Sequence, residues 1–218
     1  MCNLYTVRKS AEEVAAHFGA EVPKPIEMKP DTAKGGRGIV VRAHGGRRLV
    51  QEVGWGFPRL TREMREKNQA PTPVNLVADL TSPMWEKMVV DPLYRCLIPV
   101  TQFAEPDGLP GKKTRTWFGV KGEPLFAWAG FCRNTELWGP CYAGMTTDSN
   151  DAVKNFNPRM PVLLRAEEWD QWLTCGIQEV LRFQFREYPA DRLEIFPTDE
   201  PWIPRNAASM REPEPQFL

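Results

Sequence analysis

The chain has 218 residues, of which 42% are hydrophobic and 11% aromatic, so it can bury the core of one domain and wholesale disorder is excluded. It carries 28 basic and 28 acidic residues, so any affinity for nucleic acid must come from local clusters of charge. No run of about 18 apolar residues and no signal-peptide pattern occurs, which predicts a cytoplasmic protein without a membrane partner.

The five cysteines are scattered and form no CxxC pair, which argues against both a zinc knuckle and a disulfide framework. The sequence lacks the GxSxG, Walker A and HExxH motifs. Of the two histidines, His17 lies in an amphipathic segment and His44 in a glycine-rich turn, where structural or solvated roles are the simpler interpretation. We therefore expect no metal site, no cofactor and no Ser-His-Asp triad.

The predicted elements begin with a helix from the capping box Ser10–Glu13 to about Ala20. Residues 38–43 and 48–55 are predicted to form a hairpin around His44-Gly45-Gly46. The later predictions are a helix over 82–88, a strand over 94–103, a hairpin of 115–120 and 125–131, a strand over 142–147, a short helix capped by Ser149, a helix over 167–173 and a last strand over 181–185. Trp169 and Trp172 are expected in the core or in an interface.

Many short strands with a few short helices predict the fold class α+β. We expect a single domain around a curled, mostly antiparallel β-sheet with a barrel-like core and short flanking helices. The domain is predicted to span residues 1–198. Residues 199–218, which are proline-rich and polar, are predicted to form an extended C-terminal tail.

Cys2 is the unusual residue, because removal of Met1 would place an α-amine and a thiol on adjacent carbons. Their ordinary pKa values, about 7.7–8.0 and about 8.5, leave both groups partly nucleophilic at neutral pH. Such a 1,2-aminothiol condenses with an aldehyde to an imine, and the sulfur then closes a thiazolidine ring. The alternative is that Cys2 is simply the second residue of the chain.

Seven segments, in order along residues 1–190, carry a resemblance to a known family. They are residues 1–5 (MCNLY), 54–58 (GWGFP), 73–75 (PVN), 95–105 (RCLIPVTQFAE), 124–130 (PLFAWAG), 145–150 (MTTDSN) and 159–164 (RMPVLL). The ordered series resembles the SOS response-associated peptidase family, also known as abasic-site-processing (SRAP) domains.

The resemblance implies an enzyme that traps abasic sites in single-stranded DNA through Cys2, with lyase- or peptidase-type chemistry and autoproteolytic release of any residue before the cysteine. It implies that Asn75 orients the Cys2 end and the opened sugar, and that Glu105 moves protons. From the residues alone, Asn75 could be a turn former and Glu105 a solvated residue at a strand end.

The chain departs from the family pattern at two positions. Asn157 stands where the family usually has a histidine, and an amide donates hydrogen bonds but exchanges no proton near neutral pH. We still place Asn157 in the candidate site. Val77 stands where an arginine is usual, which removes an expected phosphate or sugar contact.

Two basic clusters and two aromatic residues are candidates for DNA contact. We assign DNA binding to Arg37, Arg42, Arg47, Arg48 and Arg159, with Trp55 and Phe57 as a stacking platform. The alternative is a solvated charged face, since Glu52, Glu63 and Glu66 alternate with the basic residues. A monomer is expected, associated with the nucleoid when bound to DNA.

Two other functions remain open. The departures at Asn157 and Val77 are compatible with a degenerate family member that binds single-stranded DNA non-covalently. A cysteine peptidase acting on other proteins would need a histidine partner that the sequence does not offer.

Overall fold

The computed structural model describes residues 2–202. The strands are β1 Leu4–Thr6, β2 Asp31–Ala33, β3 Arg37–His44, β4 Arg47–Trp55, β5 Phe57–Arg59, β6 Thr72–Val74, β7 Leu76–Val77, β8 Arg95–Val100, β9 Gln102–Asp107, β10 Thr114–Val120, β11 Phe126–Thr135, β12 Gly139–Asp148, β13 Arg159–Pro161, β14 Leu163–Leu164 and β15 Leu193–Pro201. The helices are α1 Ala11–Phe18, α2 Arg62–Glu66, α3 Glu86–Val90, α4 Trp169–Thr174 and α5 Ile177–Phe185. Short 3-10 helices occupy Pro92–Tyr94, Ala166–Glu168 and Ala190–Arg192.

Five strands close into a barrel. They pair in the order β12, β4, β3, β8 and β11, and β11 pairs again with β12. The β12–β4 pair is parallel and the other pairs of the ring are antiparallel. Large aromatic side chains fill the interior, and a Cβ added at Gly144 would overlap the Trp128 indole. Glycine at position 144 therefore lets β12 pass close to this ring.

A second sheet lies beside the barrel and contains the N-terminal strand. Its order is β15-β10-β9-β1-β2, and all its pairs are antiparallel. One face packs Tyr5, Phe103 and Phe118 into the main core, while Leu4, Ala104 and Trp117 form a small cluster apart from it. The chain therefore begins in an interior strand, with β2 on one side of β1 and β9 on the other.

The helix α1 and the first hairpin confirm their predictions. Ser10 Oγ accepts from Glu13 N and the Glu13 carboxylate accepts from Ser10 N, which completes the capping box. The strands β3 and β4 pair from Arg37–Gly54 to His44–Arg47. The expected α+β class, with a curled and barrel-like sheet in one domain, is also confirmed.

Three sequence predictions of secondary structure are wrong. Residues 94–103 do not form one strand, because the chain passes from the barrel strand β8 to β9 of the other sheet at Thr101, whose N–H donates to Thr6 O. Residues 115–120 and 125–131 are not a hairpin, since β10 and β11 also lie in different sheets. Residues 181–185 belong to α5, whose buried residues Val180, Phe183 and Gln184 have helical spacing.

Two predictions of helices also differ from the structure. The predicted helix over 82–88 begins only at Glu86 as α3. The short helix predicted after Ser149 does not form, because residues 151–156 are turns, and Asn150 caps them through its Oδ1, which accepts from Ala152 N and Val153 N. Trp169 and Trp172 are buried in the core.

The strand β15 extends to Pro201, and the rest of the expected tail, residues 203–218, lies outside the described residues. The longest helix within residues 2–202 is the nine-residue α5, and none there has the length and hydropathy that a membrane span requires.

Candidate functional site

Cys2 lies just before β1, and its side chain is buried. The register of β1 against β9 pairs Tyr5 with Phe103, and continuing it toward the N-terminus brings the start of the chain beside Glu105. Cys2 is 1% exposed, and its Sγ donates to Leu4 O at 3.5 Å. Burial, and next the neighbouring Glu105 carboxyl, raise the pKa of the Cys2 thiol well above its ordinary value. The sulfur is therefore held as a neutral thiol at neutral pH.

Glu105 is a fully buried carboxyl in the middle of β9. Asn157 Nδ2 donates to Glu105 Oε2 at 2.6 Å. Burial raises the pKa of Glu105 to about 7, although the hydrogen bond from Asn157 opposes this rise. The alternative of a solvated residue at a strand end is thereby excluded, and the carboxyl can act as both acid and base near neutral pH.

Asn157 is held in one orientation at the end of the turn that follows β12. Its Oδ1 accepts from Arg159 N at 3.1 Å, and its own N–H donates to Val153 O at 3.1 Å. With the oxygen of the amide occupied in this way, the nitrogen is directed at Glu105. The side chain that replaces the family histidine therefore supplies a fixed, neutral donor.

Asn75 connects β6 to β7 and is buried. Its carbonyl oxygen accepts from Trp55 Nε1 at 3.1 Å and from Gly144 N at 3.0 Å. Its side-chain Nδ2 donates to Asn3 Oδ1 at 3.3 Å. Because Asn3 follows Cys2, the start of the chain is linked to Asn75 on one side and lies near Glu105 on the other.

The expectation that Trp55 and Phe57 form a stacking platform for bases is wrong. Both side chains are 1% exposed, so no base can stack on them. Trp55 lies in the barrel core and holds Asn75 through its indole N–H. Phe57 packs edge to face against Trp85.

Four of the five arginines assigned to DNA pair with carboxylates of this chain. These pairs are Arg37–Glu52 at 3.0 Å, Arg47–Glu21 at 3.0 Å, Arg48–Asp170 at 2.6 Å and Arg159–Asp148 at 2.6 Å. The fifth, Arg42, donates to the carbonyl oxygen of Leu93 at 3.2 Å. A phosphate that approached the first four would compete with a carboxylate already in place.

Sequence reasoning gave no role to Asn3 or Arg133. Asn3 bonds Asn75, and only its place next to Cys2 could have drawn attention to it. Arg133 lies over the Phe57 ring at 5.7 Å, and its Nε has no hydrogen-bond partner among residues 2–202. Phe57 pairs across β5 and β6 with Val74, the residue before Asn75. A sequence pattern does not reveal which arginine lacks a carboxylate.

The second departure from the family pattern, Val77, is a fully buried residue of β7. It is part of the main apolar core. Within the described part of the chain, no group of three or more His, Cys, Asp or Glu side chains is placed to hold a metal ion.

Comparisons with known proteins identify relatives of this chain. The chain is 25% identical over 208 residues to the abasic site processing protein YoqW of Bacillus subtilis (strain 168), covering 90% of this chain and 91% of that protein. It is 31% identical over 109 residues to the abasic site processing protein YoaM of the same organism, covering 47% and 48%.

Solved structures share the fold. A protein from Bordetella bronchiseptica has a TM-score of 0.75 at 22% identity and covers 90% of this chain and 99% of its own. A protein from Bacteroides thetaiotaomicron has a TM-score of 0.74 at 19% identity, with coverages of 94% and 93%. The family profile described as SOS response associated peptidase (SRAP) matches residues 1–200, and the chain therefore belongs to this family.

Proposed function

We propose that this protein processes abasic sites in single-stranded DNA by forming a thiazolidine between Cys2 and the aldehyde carbon of the opened deoxyribose, once Met1 has been removed. The observation that carries the proposal is the buried Glu105 carboxyl beside Cys2, with its pKa raised to about 7. Family membership and the names of the YoqW and YoaM relatives support the substrate class.

The α-amine of Cys2 reacts first. Its lone pair attacks the aldehyde carbon, the carbonyl π electrons move to oxygen, and proton transfer gives a carbinolamine. Glu105, in its acid form, then protonates the hydroxyl, which leaves as water while the C=N bond of the protonated imine forms and Glu105 becomes a carboxylate. This step requires a free amine, so a chain that retains Met1, with this nitrogen in a peptide bond, cannot take it.

The Cys2 thiol closes the ring second. Glu105 is now a carboxylate and accepts the thiol proton while sulfur bonds to the imine carbon. The π electrons of the C=N bond move to nitrogen, which still carries its proton from the carbinolamine, and the neutral thiazolidine is complete with Glu105 again in its acid form. The raised pKa of the thiol suits this order, because sulfur stays protonated until a base lies within reach.

The remaining candidate residues have supporting roles in this proposal. Asn75 orients the Cys2 end and the opened sugar, and Asn157 holds Glu105. Four of the proposed phosphate contacts require an arginine to exchange a carboxylate of this chain for a phosphate of the strand; they are Arg37, Arg47, Arg48 and Arg159. Arg42 has no carboxylate partner to exchange, because it donates to a carbonyl oxygen.

The test is crosslinking to a single-stranded oligonucleotide that carries one abasic site, resolved on a denaturing gel. Intact mass first confirms that Met1 is absent. We expect a shifted band that survives denaturation, and none with an undamaged strand of the same sequence. Absence of the band with processed wild-type protein would refute the proposal.

Two variants of Cys2 separate the chemical steps. Cys2→Ser keeps the α-amine but lacks the sulfur, so it should give a band only when borohydride reduces the imine. Cys2→Ala serves as a second thiol-free control and should behave like Cys2→Ser. A borohydride-independent band with either variant would show that the sulfur does not close the ring.

The departures at Asn157 and Val77 favour a second candidate function, non-covalent binding of single-stranded DNA. It predicts equal, salt-dependent affinity for undamaged and abasic strands with no covalent band. A covalent band that forms within minutes would contradict it.

Autoproteolytic release of Met1 is part of the first proposal. If Glu105 takes part in this release, Glu105→Gln protein should retain Met1 by intact mass, while wild-type protein from the same host does not. Equal processing of the two proteins would assign the release of Met1 to an aminopeptidase of the host.

A further inference from the structure

Asn3 is the residue through which the start of the chain is tied to Asn75. Its side-chain Oδ1 accepts from Asn75 Nδ2 at 3.3 Å, and its main-chain oxygen accepts from Lys34 N at 3.0 Å. The strand β1 begins only at Leu4. Asn3 is thus bonded through both its main chain and its side chain before the regular strand starts.

The bond from Asn75 to Asn3 also fixes which end of the Asn75 amide faces the site. One hydrogen of Nδ2 is directed at Asn3, so Oδ1 points away from Asn3 as an acceptor. The backbone of Asn75 is already held through its carbonyl oxygen by Trp55 and Gly144. Rotation of the side-chain amide is the freedom that remains, and the contact with Asn3 removes it.

A fixed acceptor suits the groups that form during the reaction. The α-ammonium of Cys2 and the hydroxyl of a carbinolamine are both donors. Free chain ends are poorly ordered unless they are tied down, and a processed chain begins at Cys2 itself. A bond from the adjacent residue holds the nucleophile near the reactive geometry, on which the rates of such reactions depend strongly.

We propose that Asn3 is a positioning residue for the crosslinking step, which orients the Asn75 amide and holds the Cys2 end against it. This inference rests on the proposed function. Asn3 acts through Asn75, and it need not contact the DNA.

Single-turnover crosslinking at several concentrations of processed protein tests this inference. Asn3→Ala should lower the maximal rate by about tenfold, the effect of one net hydrogen bond, and leave the half-saturating concentration within about twofold. Asn3→Asp keeps the acceptor and should restore most of the rate. Asn134→Ala, an exposed asparagine at the end of β11, is the matched control and should be unchanged.

The double variant separates action through Asn75 from an independent effect. The crosslinking rate of the double variant, Asn3→Ala with Asn75→Ala, should lie within about twofold of the rate of Asn75→Ala alone. An additive loss, an unchanged rate for Asn3→Ala, or a loss confined to the half-saturating concentration would overturn the inference.

A spectroscopic measurement keeps this test separate from that of the proposed function. The side-chain NH2 resonances of Asn75 can be identified in a ¹⁵N spectrum by their loss in Asn75→Asp. Asn3→Ala should shift them and Asn134→Ala should not. If wild-type protein fails to crosslink, the proposed function falls, and shifted resonances would still support the link between the two side chains. Unshifted resonances would overturn it whatever the crosslinking result.

Discussion

Two buried glutamates in this protein have opposite electrostatics. Glu105 is 0% and Glu168 is 7% exposed. Burial raises the pKa of Glu105 to about 7, and the opposing hydrogen bond from the neutral amide of Asn157 does not cancel this rise. Burial acts on Glu168 in the same direction, but hydrogen bonds and charge from Arg165 and Arg186 outweigh it, and its pKa is lowered.

The difference shows that burial and the charge of the neighbouring donors together decide the protonation state of a carboxyl. A carboxyl between two guanidinium groups stays ionised and joins the 3-10 helix Ala166–Glu168 to the end of α5. A buried carboxyl beside a neutral amide stays partly protonated near neutral pH and can donate a proton. The chain therefore contains a structural glutamate and a glutamate suited to proton transfer, although their burial is similar.

Replacing the carboxyl of the site should have the largest effect. Glu105→Gln keeps the shape and a partner for Asn157 but cannot exchange a proton. The crosslinking rate should fall by about 10² to 10⁴-fold, the range for loss of a general acid–base group. The rate is followed on denaturing gels. Where intact mass shows that Met1 is retained, Met1 is first removed in vitro. A fall of less than about tenfold would remove Glu105 from the chemistry.

The same substitution should stabilise the folded protein at high pH. A carboxyl whose pKa is raised from 4.5 to about 7 by folding is harder to ionise in the folded state, at a penalty of up to about 3 kcal/mol. The penalty is absent below about pH 4.5 and complete above pH 7. Glu105→Gln should therefore gain stability at pH 8 and almost none at pH 4.5, in urea unfolding of protein that retains Met1.

Glu168→Gln is the control for this prediction and has the opposite sign. The ionised Glu168 stabilises the fold above the ordinary pKa of a carboxyl, and this contribution is lost as the pH falls through its lowered pKa. The free energy of unfolding of the variant should fall by about 2 kcal/mol at pH 8. Equal behaviour of the two variants would contradict the contrast between the two sites.

Asn157→His should lower the pKa of Glu105, as the arginines lower that of Glu168. A protonated histidine at hydrogen-bond distance lowers the pKa of a carboxyl by about 1 unit or more. Because the loss of water uses the acid form of Glu105, the crosslinking rate should fall as Glu105 ionises, with a midpoint near pH 7 in the parent chain. This midpoint should shift down by about 1 unit in Asn157→His. Asn134→His, at an exposed asparagine, should leave the midpoint in place. An unshifted midpoint in Asn157→His would show that the donor at 157 does not set it.

The smallest expected effects carry the contrast between neutral and charged partners to the arginines proposed to contact DNA. Arg42 donates to the carbonyl oxygen of Leu93, whereas Arg47 is paired with Glu21. Arg42→Ala should reduce the slope of log affinity for single-stranded DNA against log salt by about 0.7, and Arg47→Ala by much less, because a phosphate must displace Glu21 from Arg47. Fluorescence anisotropy at several salt concentrations measures both slopes, and a larger change for Arg47→Ala would reverse the assignment.

The sequence predicts local structure better than it predicts sheet membership. The capping box at Ser10 and the hairpin of β3 and β4 depend on neighbouring residues, and both predictions are confirmed. The division of residues 95–107 between two sheets depends on distant partners, Thr6 among them, which no local pattern reveals. Residues 181–185 alone are too few to show the helical period of α5, so the sequence predicts a strand there.

For the site, the family segments named the residues that the structure brings together, but their physical states come from the fold. Burial, which depends on the whole fold, raises the pKa of Glu105 above that of an ordinary carboxyl. It also keeps Trp55 and Phe57 out of contact with any bound DNA. The ion pairs of Arg47 and Arg48 join residues 26 and 122 positions apart, beyond any local pattern. The hydrogen bond between Asn75 and Asn3 likewise joins residues 72 positions apart.

The position of β1 between β2 and β9 has a consequence for the newly synthesised chain. The strand β1 cannot pair with β9 until residues 102–107 have left the ribosome. At about 5–20 residues per second, this leaves the first residues without that neighbour for roughly 5 to 20 s. Removal of Met1 by an aminopeptidase that acts on nascent chains would fall in that interval, before Cys2 is enclosed. Release of Met1 through Glu105 requires β9 in place beside the start of the chain, so it would come after that interval. The two proposed routes therefore differ in their order relative to burial of the thiol.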